Sequence, residues 1–167
     1  KGVLDSSFYN LYIPLLELGH TVYFYDTISP VIKDFNDVYD KFKPDLVFCC
    51  ITGNSQVTPY EPLEKIKEIT ESGDCITFNW FCDDTWRFDT FSKHVCNLFY
   101  ACSTPEPSHI EKYKNINYNN ILLGCWHVSN NMYCKHTEYL NDISFVGGLT
   151  NCRSEFFNTL QTSVVYK

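Results

Sequence analysis

The run Lys43-Pro44-Asp45-Leu46-Val47-Phe48-Cys49-Cys50-Ile51 decides the fold of this chain. Lys-Pro-Asp is a turn, and the uniformly apolar stretch behind it suits a strand buried on both faces of a parallel sheet. Working outward, the same strand-then-helix alternation recurs. Upstream, residues 6–18 place Phe8, Leu11, Tyr12, Leu15, Leu16 and Leu18 at helical spacing, with Pro14 as a kink and Gly19 as a stop. Thr21 to Tyr25 is β-branched and aromatic and reads as a strand ending at Asp26. Ser29-Pro30 reads as the N-cap and first residue of a helix that runs to about Phe42.

Downstream, Thr58-Pro59-Tyr60-Glu61 has the form of a capping box. The helix it opens turns Leu63, Ile66 and Ile69 inward and stops near Gly73. A strand from Ile76 to Phe81 follows, then a short helix from about Phe88 and a strand from Leu98 to Ala101. Thr104-Pro105 reads as another helix start, and Ile121 to Leu123 as a short strand. The alternation predicts an α/β fold, a Rossmann-like parallel sheet with helices on both faces and right-handed crossovers. Residues 1–140 make one such domain. In residues 141–167, Asp142 to Val146 is a strand, Gly147-Gly148 a turn, and Asn151 onward a helix with Phe156, Phe157 and Leu160 inward. A strand-turn-helix at a terminus reads as the opening of a second α/β domain.

The bulk composition narrows the function classes. Of 167 residues, 44% are hydrophobic and 20% charged, the profile of an ordinary globular protein. The formal net charge of -7 argues against a nucleic-acid partner, whose phosphates are bound by clustered Lys and Arg. No apolar run reaches the length of about 20 residues that a membrane helix needs. The nine cysteines are odd in number and sit largely in or after strand-like runs, so they read as buried free thiols in a reducing, cytoplasmic setting. Cys125 with His127 and Cys134 with His136 come nearest to metal-ligand spacing, and no metal is expected.

In parallel α/β sheets ligands bind outside the carboxyl ends of the strands. That rule singles out four loops. Gly53 and Asn54 lie in the first, where backbone can approach a ligand or simply turn. Asp83 and Asp84 lie in the second, as a general base, as cation ligands or as a helix-capping pair. Trp86 beside them can stack on a sugar or pack inward. Thr104, in the third, reads best as a plain helix cap. Gly147, Gly148 and Arg153 form the fourth, a glycine turn opening a helix, which suits a phosphate. His127 is a candidate acid or base whose commoner role is structural, and His20 reads as a helix C-terminal cap.

The segments Leu18 to Asp26, Lys43 to Phe48, Trp80-Phe81-Cys82-Asp83-Asp84-Thr85-Trp86-Arg87-Phe88 and Asp142 to Gly148 with Arg153, in that order, resemble the CgeB-like (spore maturation) glycosyltransferases. The resemblance implies a GT-B architecture of two Rossmann-like domains, with this chain supplying the acceptor-side domain and the start of the donor-side one. It implies a first strand ahead of Lys1 and a donor domain continuing past Lys167. It implies a nucleotide-sugar as co-substrate, with no other cofactor, whose sugar passes to an unidentified hydroxyl on a glycan, protein or small molecule. Gly147, Gly148 and Arg153 then lie near the donor diphosphate, Asp83 and Asp84 are catalytic, and Gly53, Asn54, Trp86, Thr104 and His127 border the acceptor cleft. Three other readings stay open: a metal-dependent GT-A transferase using Asp83 and Asp84, a receiver-like or ligand-binding α/β module, and a degenerate transferase half that only binds.

Overall fold

The computed structural model describes residues 7–28, 34–53, 58–125 and 151–163. They fall in two units, Lys1–Tyr133 and Cys134–Lys167. The first is an α/β unit around a four-stranded parallel sheet, β1 (Leu46–Cys49), β2 (Ile76–Trp80), β3 (Ala101–Thr104) and β4 (Ile121–Leu123), in that spatial order. Helices α1 (Ile13–Glu17) and α2 (Phe35–Phe42) precede it. Helix α3 (Leu63–Ser72) connects β1 to β2, and α6 (His109–Asn115) connects β3 to β4. Between β2 and β3 the chain winds through α4 (Asp84–Arg87), a π-helical turn (Phe88–Ser92), α5 (Lys93–Val95) and a 3-10 turn (Cys96–Leu98). The fold is Rossmann-like. Among the described residues no helix is long and apolar enough to cross a membrane.

The sheet's two faces differ. Cross-strand register aligns Phe48, Phe78 and Ala101 in one row and Trp80, Ser103 and Leu122 in another, with Leu46 beside Ile76. On this face Leu46, Phe48, Ile76 and Leu122 are all exposed. The opposite face carries Thr77, Asn79, Cys102, Thr104 and Ile121, all buried. Ile66 of α3 and Tyr113 of α6 share its core with Phe81, Phe88 and Phe99. Two of the buried polar side chains here find partners for their oxygens: Thr77 Oγ1 meets the Thr70 hydroxyl and accepts from Tyr100 N, and Asn79 Oδ1 accepts from Ile51 N, while Asn79 Nδ2 has none among the described residues. Such pairing removes the cost of burying those oxygens.

Several expected elements shift. The Leu46–Ile51 run forms a strand only to Cys49, and its side chains alternate between exposed and half-buried. The reason is position: among the described residues β1 pairs on one side only, with β2, so it is an edge strand. Thr21 to Tyr25 is not a strand. It has no ladder partner among the described residues and is held by ring contacts, Phe24 on Phe8 and Tyr12, and Tyr25 on Phe35. Helix α2 opens at Asp34, whose carboxylate accepts from Asn36 N; Ser29 and Pro30 lie outside the described residues. The third strand begins at Ala101 rather than Leu98, because the 3-10 turn occupies Cys96–Leu98 and puts Phe99 in the core. Gly19 and Gly73 do end their helices, at φ +87 and +73, where a residue with a Cβ is strained.

The described cysteines are free thiols, and Cys75, Cys96 and Cys102 are buried. Burial pushes Cys96 up to about 11 and Cys102 up to about 12, from a thiol's ordinary 9.0. Between pH 9 and 11 the unfolded chain therefore releases protons that the folded chain keeps. Stability from these thiols is complete below pH 9 and declines as pH rises toward their folded values. Urea midpoints compared at about pH 8 and about pH 10.5 should show this fall, with a smaller fall in a Cys96→Ala, Cys102→Ala variant.

In the second unit the described element is α7 (Asn151–Ser163). Phe156, expected inward, is 60% exposed and packs edge-on against Phe157. The side chain of Leu160, the expected strand at 142–146, and Gly147 and Gly148 lie outside the described residues.

Candidate functional site

The carboxyl ends of β1, β2 and β3 carry the candidate site. β1 leads into Thr52-Gly53, β2 into Asp83 and α4, and β3 into Thr104 and Glu106. Three side chains tie these loops together. The Glu61 carboxylate accepts from Thr52 N at 2.8 Å, Gly53 N at 3.0 Å and the Thr58 hydroxyl at 2.8 Å. The Arg87 guanidinium donates through Nη1 to the Thr52 carbonyl, joining the β1 and β2 loops. The Thr85 hydroxyl donates to Glu106 Oε1 at 2.6 Å, joining α4 to the loop after β3.

Glu61 explains why the expected capping box is absent. Helix α3 starts at Leu63, and Glu61 reaches back to two successive amides instead of capping its own helix. An anionic oxygen gains more from that pair of converging N–H groups than from one N-cap amide. Gly53 is required beside it. Its φ is +69, and an added Cβ would fall 2.2 Å from the Phe91 ring.

The acidic pair splits into two different groups. Asp84 is fully buried, and its Oδ2 accepts from the Tyr113 hydroxyl at 2.8 Å. His109 Nδ1 stands 3.6 Å from the same oxygen. Lys112 Nζ lies 2.8 Å from His109 Nε2, so the ammonium donates there and the ring proton sits on Nδ1, facing Asp84. Burial first, and then the Asp84 charge, raise the Tyr113 pKa, so the phenol stays a donor. Asp83 is the accessible member, with its side chain 39% exposed and Oδ2 3.8 Å from Arg87 Nε. It occupies the N-cap position of α4 without making a side-chain cap. Next to it, burial and the Asp83 charge push the Cys82 thiol up, which argues against a thiolate nucleophile.

Trp86 is 63% exposed, and the Arg87 guanidinium lies 4.3 Å from its ring. One ring face is thus backed by a cation that is itself pinned to the β1 loop. Beneath this surface Thr52, Asp83, Asp84, Arg87 and Ser92 help line a cavity of about 10 Å³.

Gly53, Asp83 and Trp86 are thus brought to one rim, with Asp84 buried behind it. Thr104 is fully buried at the end of β3. It does not start α6, which begins at His109; its hydroxyl accepts from Glu106 N and closes a local turn. Asn54, His127, Gly147 and Gly148 lie outside the described residues. Arg153 is in the first turn of α7, in the other unit. Among the described residues no three His, Cys, Asp or Glu side chains gather as a metal site.

Sequence reasoning placed Arg87 in the second loop without giving it a role, and it missed Glu61 and the buried Ser92, His109 and Tyr113 around the site. Arg87 carried one legible signal, its i+4 spacing from Asp83. No family model, curated protein or solved structure matches the chain, so its likeness to the CgeB-like transferases rests on the quoted residues alone.

Proposed function

We propose that the chain is the acceptor-side part of a nucleotide-sugar glycosyltransferase of the GT-B kind. One observation carries the reading. At the carboxyl edge of a parallel sheet, a half-exposed carboxylate, Asp83, is held near the guanidinium of Arg87 beside an exposed indole, Trp86. An aromatic face suits the apolar face of a sugar ring, and the carboxylate suits the proton of an acceptor hydroxyl. In this reading Asp83 is the base, Arg87 positions it, and Asp84 supports the site from within. The leaving diphosphate would be met by the helix start after Gly147 and Gly148, with Arg153. No metal has a role.

A ligand-binding module without catalysis is the second reading. It is favoured by the commitment of Asp84 to Tyr113, which leaves one accessible carboxylate.

Thermal-shift measurements on the parent protein with both domains present, using a panel of nucleoside-diphosphate sugars with and without EDTA, separate the readings. A donor at 100 times its Kd stabilises the folded state by about 2.7 kcal/mol. The transferase reading expects such a shift with at least one donor, unchanged by EDTA. A shift that EDTA removes would move the assignment to a metal-dependent transferase. No shift with any donor would leave the binding module.

A further inference from the structure

Three polar atoms around the cavity beneath the rim are buried with unused hydrogen-bonding capacity: Asp84 Oδ1, Ser92 Oγ, which lies beside the Tyr113 phenol, and Arg87 Nε, whose nearest acceptor is Asp83 Oδ2 at 3.8 Å. The residues carrying the first two are 0% and 1% exposed, so bulk water does not serve them. Such groups are costly to bury unmatched, and a matching guest is the usual solution. We propose that this cavity is a socket for a single hydroxyl group, filled by water in the free protein and by one hydroxyl of a polyol ligand in the complex.

The chemistry of the three atoms selects the guest. Asp84 Oδ1 only accepts, Arg87 Nε–H only donates, and Ser92 Oγ does either. A hydroxyl both donates and accepts, so it satisfies all three. A phosphate or carboxylate brings its own negative charge against that of the buried Asp84 carboxylate. An ammonium has no lone pair for Arg87 and meets a positive one. Size agrees, since about 10 Å³ is the room one oxygen-centred group occupies. Access agrees as well, because the lining includes Asp83, whose side chain is 39% exposed.

The socket orients a ligand rather than reacting with it. A hydroxyl held between Asp84 and Arg87 places the rest of a sugar ring toward Asp83 and Trp86. The inference rests on the transferase reading only for the choice of a sugar as the polyol; a binding module would use the socket equally well.

The test follows the Nε–H resonance of Arg87 by NMR in 15N-labelled chain, titrated separately with methyl β-glucopyranoside and with inorganic phosphate. A saturable shift with the glycoside and none with phosphate is expected. Ser92→Ala, with its backbone amide spectrum unchanged, should weaken the glycoside about tenfold by removing one hydrogen bond. A saturable shift with phosphate and none with the glycoside would make this an anion site and overturn the proposal. Silence with both would mean a water site only and overturn it equally. Nucleotide-sugars that fail to bind the parent protein with both domains present, while Arg87 still answers the glycoside, would sink the transferase reading and leave the socket standing.

Discussion

Replacing Asp84 by Ala lowers stability by about 3 kcal/mol, while the same change at its neighbour Asp83 costs less than ~1 kcal/mol. The two residues are adjacent and chemically identical, so the difference is wholly environmental. Asp84 and Tyr113 are both 0% exposed, and the 2.8 Å bond between them is the phenol's one hydrogen bond to a carboxylate in this core. Alanine strands that hydroxyl and opens a void between α4 and α6, and each of those effects costs of order 1–3 kcal/mol. Against this stands the relief of removing a buried charge. Asp84→Asn isolates that relief, because the amide oxygen still accepts from Tyr113 while the charge is gone. It should lie within ~1 kcal/mol of the parent protein. At Asp83 the carboxylate is 39% exposed and 3.8 Å from Arg87, a screened and long contact whose loss is cheap. Urea unfolding of the three variants reads the result directly. Equal midpoints for Asp84→Ala and Asp83→Ala would remove Asp84 from the core.

The second large effect contrasts two isoleucines. Ile66→Ala should destabilise by about 2–5 kcal/mol, and Ile76→Ala by less than ~1 kcal/mol. Ile66 is 0% exposed in the cluster beneath the sheet, where the surrounding rings Phe81, Phe99 and Tyr113 cannot collapse freely into the space it leaves. Ile76 is 53% exposed on the open face, and truncating it removes little area from burial. The contrast tests the asymmetry of the sheet, since both residues are β-branched and of equal volume. A large cost at Ile76 would mean that Leu46, Phe48, Ile76 and Leu122 are covered in solution. The concentration dependence of its midpoint would then tell whether a second copy covers them.

Much of the architecture is legible in local patterns. The apolar run at Leu46, the β-branched and aromatic run at Ile76 and the short Ile121–Leu123 segment are each strands, and the intervening amphipathic stretch of Leu63, Ile66 and Ile69 is a helix. These follow from side-chain period and from Gly73, whose positive φ ends the helix. Local patterns misled where a residue had two possible partners. Thr21 to Tyr25 has the composition of a strand, but a strand exists only by pairing, and no ladder forms on it among the described residues. Glu61 has the spacing of a capping box, but the converging amides of Thr52 and Gly53 hold its carboxylate instead.

The site shows the same division. Sequence placed Asp83, Asp84, Trp86 and Gly53 at strand ends, because the rule for parallel sheets depends only on chain order and strand direction. It left the two aspartates equivalent. Their difference comes from α6, whose Tyr113 and His109 lie far along the chain and reach Asp84 but not Asp83. Arg87 likewise acquires its role only when the β1 loop offers the Thr52 carbonyl, 35 residues away in sequence. What the sequence determined by itself is periodic and local: strands, helices, their stops and the parallel α/β class, all set by side-chain size, branching and backbone freedom within a few residues. What only the tertiary structure decided is which carboxylate is dry, which is wet and which polar atoms are left facing a cavity, because desolvation and hydrogen-bond satisfaction depend on groups that meet only when the chain has folded.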